Sequence, residues 1–334
     1  MCLRDVRALI LLTAGAAVTS IVPPRWDAVM ARGLQRASEK LFPARIRNLG
    51  EMMARVLPHE SRPGDPRDTA LDHSVMRLED MLGRTRGLSV RGWHPEIEIE
   101  GLEHIRSALS RGRGVVVWSM RFSSATVLKQ AFYHAGFPLV HLSRVSHGAP
   151  SATRVGLGIV APLYCRPENS YLADRVSIPM DGSVSYINTL KRHLRNNLCV
   201  NIFGEHTGRQ NAPGTLFGAQ KQFALGAPSL AWAEDAVLLT ACPLRTGPVR
   251  YRVVVGEEIP VDRSIGRKEF ARKAVIEFAR RLEARIKSAR RIGKAGRTGL
   301  RQTPSSAAAN RTKSHEKNHK APRPRIAVEI SRSH

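Results

Sequence analysis

Four consecutive apolar residues, Val115, Val116, Val117 and Trp118, constrain this chain more than any other stretch, because Ser123, Ser124 and an apolar-periodic segment through Ala135 follow them. The β-branched run reads as a strand, the serines as helix caps and the rest as a helix. In an α/β protein a strand that feeds a helix aims its turn at the crevice where ligands bind. Chemistry is therefore expected between Ser119 and Thr126.

The other elements follow from pattern. EIEIE at 96–100 alternates as a half-exposed strand does, and apolar strands are expected at 138–142, 198–203, 236–243 and 250–255. Helices are expected at 101–109, 183–196, 222–233 and 267–286, with a glycine-rich loop running to Gly218. Helices alternating with strands predict an α/β fold, a mostly parallel sheet flanked by helices on both faces. Residues 25–87 read as helical, interrupted by Pro58, Pro63 and Pro66. Phe270, Ala274, Phe278, Leu282 and Ile286 form the packing stripe of the last helix, after which periodicity stops near Arg290 and the composition turns to Ser, Ala, Lys, Arg and Pro. The expected organisation is an N-terminal apolar segment over 1–24, an α/β domain over 25–287 and a basic disordered tail over 288–334.

The segment 8–22 is fifteen apolar and small residues stopped by Pro23 and Pro24. As a helix it rises roughly 22 Å, short of the ~30 Å hydrocarbon core, and arginines flank it on both sides. It reads as an anchor lying in the cytoplasmic interface, with a cleaved signal peptide and a buried core helix as the alternatives. The net charge of +25 requires an anionic partner, and the tail supplies only part of it, with 12 Lys and Arg against 2 Glu from Ser288 on. Four scattered cysteines make neither a disulfide framework nor a zinc site, so no metal is expected; Cys199 and Cys242 sit in apolar runs as buried thiols, and Cys2 is a candidate for acylation.

Three blocks, RNLGEMMARVLP, EIEIEGLEHIRSALSRGRGVVVWS and TLFGAQKQFALGAPSLAWAEDAVLLTACPL, lie in one order across about residues 25 to 286. Together they resemble the bacterial lipid A lauroyl/myristoyl acyltransferases, within the lysophospholipid acyltransferase superfamily. The resemblance implies a glycerolipid acyltransferase-like fold at the cytoplasmic face of the inner membrane. It also implies transfer of an acyl chain from an acyl carrier protein or coenzyme A thioester to a hydroxyl of a phosphorylated lipid, with no resident cofactor. That chemistry uses a histidine at the end of the central strand as general base, and an acid five residues on to orient it. Here those positions hold Arg121 and Thr126. Arginine stays protonated at cellular pH and threonine brings no charge, so the base and its partner are both missing.

Other residues match better. Arg144 and Arg154 fall in the arginine-bearing stretch thought to meet the substrate phosphate, where planar guanidinium donors suit the task. Glu205 matches an acid after a later strand, His206 beside it is with His141 and His147 a candidate replacement base, and Gly218 closes a pocket-shaping GTLFG loop. Arg121 has a constructive reading as well: with Ser123 and Ser124 at a helix N-terminus it makes a phosphate or carboxylate holder. Three function classes follow: an acyltransferase with altered catalytic residues, a catalytically inactive lipid-binding relative or partner of an active enzyme, and a basic nucleic-acid binder. The last ranks below an anionic membrane lipid as partner, since aromatics are 5% and no nucleic-acid-binding signature is present.

Overall fold

A computed structural model describes residues 2–56, 65–89, 92–204 and 208–299. The apolar run folds as expected into β2 (Val115–Ser119), the middle of a seven-stranded sheet ordered β1-β9-β8-β2-β5-β3-β4. The others are β1 (Glu96–Glu100), β3 (Leu139–Arg144), β4 (Leu172–Ile178), β5 (Cys199–Phe203), β8 (Val237–Gly247) and β9 (Arg250–Ile259). β2 runs parallel to β8 on one side and to β5 on the other; β9 pairs antiparallel with β8, and β1 runs parallel to β9, so these two run opposite to the other five. At the edge, the glutamates of EIEIE meet arginines of β9, Glu96 with Arg250 at 2.9 Å and Glu98 with Arg252 at 3.0 Å.

Period-two alternation sends Val116, Trp118 and Met120 to one face, and Val115 and Val117 to the other. The first face packs on α8 (Ser185–Arg195), α9 (Gly226–Glu234) and α10 (Arg267–Gly299), with Trp118 stacked 3.9 Å from Phe278. The second face packs on α5 (Leu102–Ser110) and α6 (Ala125–His134). Entry into β2 is fixed by a tight approach. Gly114 sits at φ +70, and a side chain there would strike the backbone carbonyl of Leu194. Asn197, left-handed at φ 57, ends α8 in a Schellman pattern, with Leu198 N–H donating to His193 and Asn197 N–H to Leu194. Its own amide accepts from Gly114 N–H at 3.0 Å.

A second layer consists of α1 (Leu3–Ile21), α2 (Asp27–Leu41), α3 (Pro43–Val56) and α4 (Pro66–Gly87), all against α4, which also reaches α7 (Ala161–Asn169). The segment expected to be a glycine-rich loop running into a helix at 222 is instead a hairpin, β6 (Asn211–Leu216) with β7 (Ala219–Ala224). Phe217 and Gly218 turn it with φ 51 and 80, a two-residue reversal of the type that matches strand twist. The last helix continues to Gly299, twelve residues past the end expected for the domain. The remainder of the expected tail, 300–334, lies outside the described residues.

Burial of the β5 and β8 thiols has a measurable consequence. It pushes both Cys199 and Cys242 up to about 12. Unfolded thiols ionise near 8.5, so from there to 12 the folded state keeps protons that the unfolded state has lost, and stability falls as pH rises. Replacing both cysteines with alanine is expected to make the slope of unfolding free energy between pH 9 and 10 more positive by about 2 kcal/mol per pH unit. Chemical denaturation at the two pH values checks it; an unchanged slope rules it out.

Candidate functional site

The strand ends that the sequence singled out do converge. Past Ser119 the chain is pinned on both sides, Met120 N–H donating to Ala241 and Gly204 N–H to the Ser119 carbonyl. Arg121 then turns back over β5, with its guanidinium carbon 4.6 Å from the centre of the Phe203 ring, a cation–π arrangement. Ser123 Oγ donates to Pro243 O at 3.0 Å. Ser124 is the N-cap of α6, as expected from its residue type, but its hydroxyl makes no capping bond; it is buried and has no hydrogen-bond partner. Thr126 is buried in the first turn of α6.

Beneath Phe203 lies a polar network that the sequence reading largely missed. His141 on β3 stands edge-on to Phe203, ring centres 5.4 Å apart, and its Nδ1 is 2.9 Å from Asn201 Oδ1 on β5. Asn201 Nδ2 donates to Ser119 Oγ at 2.6 Å and to the Val117 carbonyl at 3.3 Å. A carbonyl only accepts, so the amide nitrogen must face Val117 and its oxygen must face His141. Nδ1 therefore carries the proton and Nε2 the lone pair. Burial, aided by the nearby Lys129 charge, holds the imidazole well below its ordinary value, so it is neutral at pH 7.

Farther under α6 and α7, Glu168 is fully buried and serves three cations. Its Oε2 accepts from Lys129 Nζ at 2.6 Å and Arg175 Nη2 at 2.8 Å, and its Oε1 from Arg84 Nη2 at 3.0 Å. His147 Nε2 stands 3.5 Å from Oε2. Burial alone would push the Glu168 carboxyl up; the Lys129 charge, the His147 contact and the Arg84 charge outweigh it and hold it well below the carboxylate range. Burial pushes Lys129 down to about 8 in spite of Glu168. Arg84 also lies 3.8 Å over Tyr164, whose ring meets His147.

The expected site residues separate in this structure. Arg121, Ser123, Ser124 and Thr126 stay together at the end of β2, and Arg144 is exposed at the matching end of β3. Arg154 is exposed beside Thr153, whose hydroxyl binds Asp5 of α1 at 2.6 Å, which places it toward the N-terminal layer. Gly218 is corrected from pocket wall to hairpin tip: its neighbour Phe217 donates its N–H to Glu283 of α10, because the turn packs on that helix. Glu205 and His206 lie outside the described residues. Among the described residues no group of three or more His, Cys, Asp or Glu is placed to hold a metal. The site offers a fixed cation, a helix N-terminus with an unpartnered hydroxyl and a shielded neutral imidazole. No protein-family model matches this chain, and no curated protein matches it.

Proposed function

We propose that this chain is a membrane-associated protein of lipid A acyltransferase descent that holds the anionic headgroup of an acylated, phosphorylated lipid without transferring the acyl chain by the family's imidazole–carboxylate mechanism. The observation that carries this reading is Arg121. It stands at the position where the resembled family carries its general base, it is exposed, and its charge lies on the Phe203 ring at the end of β5. Arg144, exposed at the end of β3, is suited to a second phosphate oxygen. The working surface is then the cytoplasmic face of the inner membrane, and an acyl carrier protein or coenzyme A thioester is the donor only where transfer survives.

One observation favours a second reading in which transfer does survive. His141, its proton fixed on Nδ1 by Asn201, presents a basic Nε2 of the kind a general base needs, though at 2% exposure it requires Phe203 to move first. A single experiment separates the two: acyl transfer from labelled acyl carrier protein and coenzyme A thioesters to lipid A precursors and lysophospholipids. The natural chain is expected to show no turnover while retaining lipid binding that Arg121→Ala weakens about tenfold, the worth of one charge-assisted hydrogen bond. Turnover abolished by His141→Ala would establish the second reading, and unchanged binding by Arg121→Ala would remove the first.

A further inference from the structure

Helix α1 is built inside out. The side turned to the protein carries Asp5, Leu12 and Thr19, two polar residues of three, while Leu3, Ile10, Leu11, Val18 and Ile21 face outward, Leu3 84% and Ile21 79% exposed. At 100° per residue these five fall on one stripe, with Ala14 and Ala17 among them and Arg4 and Arg7 on it at the N-terminal end. A soluble helix shows the opposite distribution.

The polar side is used as a clasp at both ends. Asp5 accepts from Ser151 Oγ at 2.5 Å, Thr153 Oγ1 at 2.6 Å and the Cys2 N–H at 2.8 Å, and those bonds hold its carboxyl well below the ordinary range. At the other end Arg86 donates to the carbonyls of Thr19 at 2.7 Å and Val22 at 3.1 Å while pairing with buried Asp27. Gly15 lets α1 lie close on Thr85 of α4. Clasped at Asp5 and at Val22, α1 is held along the domain; no single described helix is long and apolar enough to cross a bilayer, and α1 passes on length and composition only together with the following segment 24–41, from which it is bent by 115°. Beside it, the 156–160 turn and α7 leave a concavity of about 540 Å³ walled by Ile159, Pro162 and Leu163.

Charge selects the occupant of this stripe. Over residues 2–50 the cations Arg4, Arg7, Arg25, Arg32, Arg36, Lys40, Arg45 and Arg47 are all exposed. The acids of the same span, Asp5, Asp27 and Glu39, are all engaged internally. A second copy would bring the same cations face to face, whereas an anionic bilayer neutralises them. We infer that α1 lies in the plane of an anionic bilayer, its Leu3–Ile10–Leu11–Val18–Ile21 stripe in the acyl region and Arg4 and Arg7 at the phosphates. This deepens the membrane side of the function proposed above and rests on it, but the crevice takes no part in its test.

That test uses flotation of the full chain with phosphatidylcholine vesicles, with and without phosphatidylglycerol. Binding is expected to need phosphatidylglycerol, to weaken with salt, and to fall at least about tenfold in Leu11→Asp/Val18→Asp, whose sites are exposed and whose fold in water should be intact by circular dichroism. Cys2 and a Ser20→Cys variant on vesicles loaded from outside should both react with a membrane-impermeant maleimide, mapped by mass spectrometry. Shielding of one end would mean a spanning helix and overturn the in-plane arrangement. Unchanged flotation of Leu11→Asp/Val18→Asp, or a loss of self-association in its place, would overturn the bilayer as occupant. If Arg121→Ala keeps full vesicle binding while Leu11→Asp/Val18→Asp loses it, the surface stands whatever becomes of the crevice.

Discussion

Glu168→Gln is expected to cost the fold about 3–5 kcal/mol, the penalty for leaving buried charge without its partner. The glutamine keeps the shape of the side chain but strands Lys129, Arg175 and Arg84, which approach one carboxylate within 3.0 Å, in each other's field. Lys129→Met is expected to change stability by no more than about 1 kcal/mol, because Glu168 keeps both arginines and the lost ammonium was held in place against its own desolvation. The methionine variant also removes a pH dependence. The folded ammonium gives up its proton near about 8 and the unfolded one near 10.4, so between those values the unfolded state binds the extra proton and stability climbs with pH. Lys129→Met should flatten that climb. Denaturant midpoints for the two variants decide the matter: a tolerated Glu168→Gln beside a crippling Lys129→Met would invert the assignment of the carboxylate as the keystone.

Arg86→Ala is expected to lose a similar amount, about 3–5 kcal/mol, but locally. It leaves Asp27 buried without a counter-charge and uncovers the carbonyls of Thr19 and Val22 at the end of α1. Hydrogen exchange should accelerate across 3–41 while the amides of β2, β5 and β8 stay protected. Arg86→Lys should rescue little, because an ammonium cannot reproduce the two-pronged contact with Asp27 and the carbonyls together. Uniform loss of protection through the sheet would show that α1 and α2 are part of the global folding unit, not a layer clasped onto it.

Where residues announce their environment locally, the sequence reading and the structure agree. VVVW and CVNIF are buried strands, EIEIE is an edge strand, and the stripe from Phe270 to Phe278 packs on Trp118. The hairpin escaped because NAPGTLFGAQKQFA carries Pro213, Gly214 and exposed polar residues, and only Ala212, Gly214 and Phe223 of it are buried. β4, LADRVSI, is a polar edge strand with one buried residue. The Glu168 network escaped for another reason: Arg84, Lys129, His147, Glu168 and Arg175 come from separate segments and share no spacing. One signal was present, a lysine inside the apolar helix ATVLKQAF, which a buried helix tolerates only when an acid from elsewhere meets it. The strand-to-helix turn that carries Arg121 and Thr126 could be placed from pattern alone; that the hydroxyl of Ser124 would stay unpartnered could not.

The clasp on Asp5 also has an order in time. Ser151 follows Asp5 by 146 residues, so at synthesis rates of about 5–20 residues per second α1 leaves the ribosome roughly 7 to 30 s before the hydroxyls that will hold it exist. For the first part of that interval, until α4 brings Thr85 and Arg86 against it, the helix has no inner side and its apolar stripe is uncovered. The closure of Ser151 and Thr153 on Asp5 is therefore a late step, made on a helix whose other end α4 already holds through Arg86.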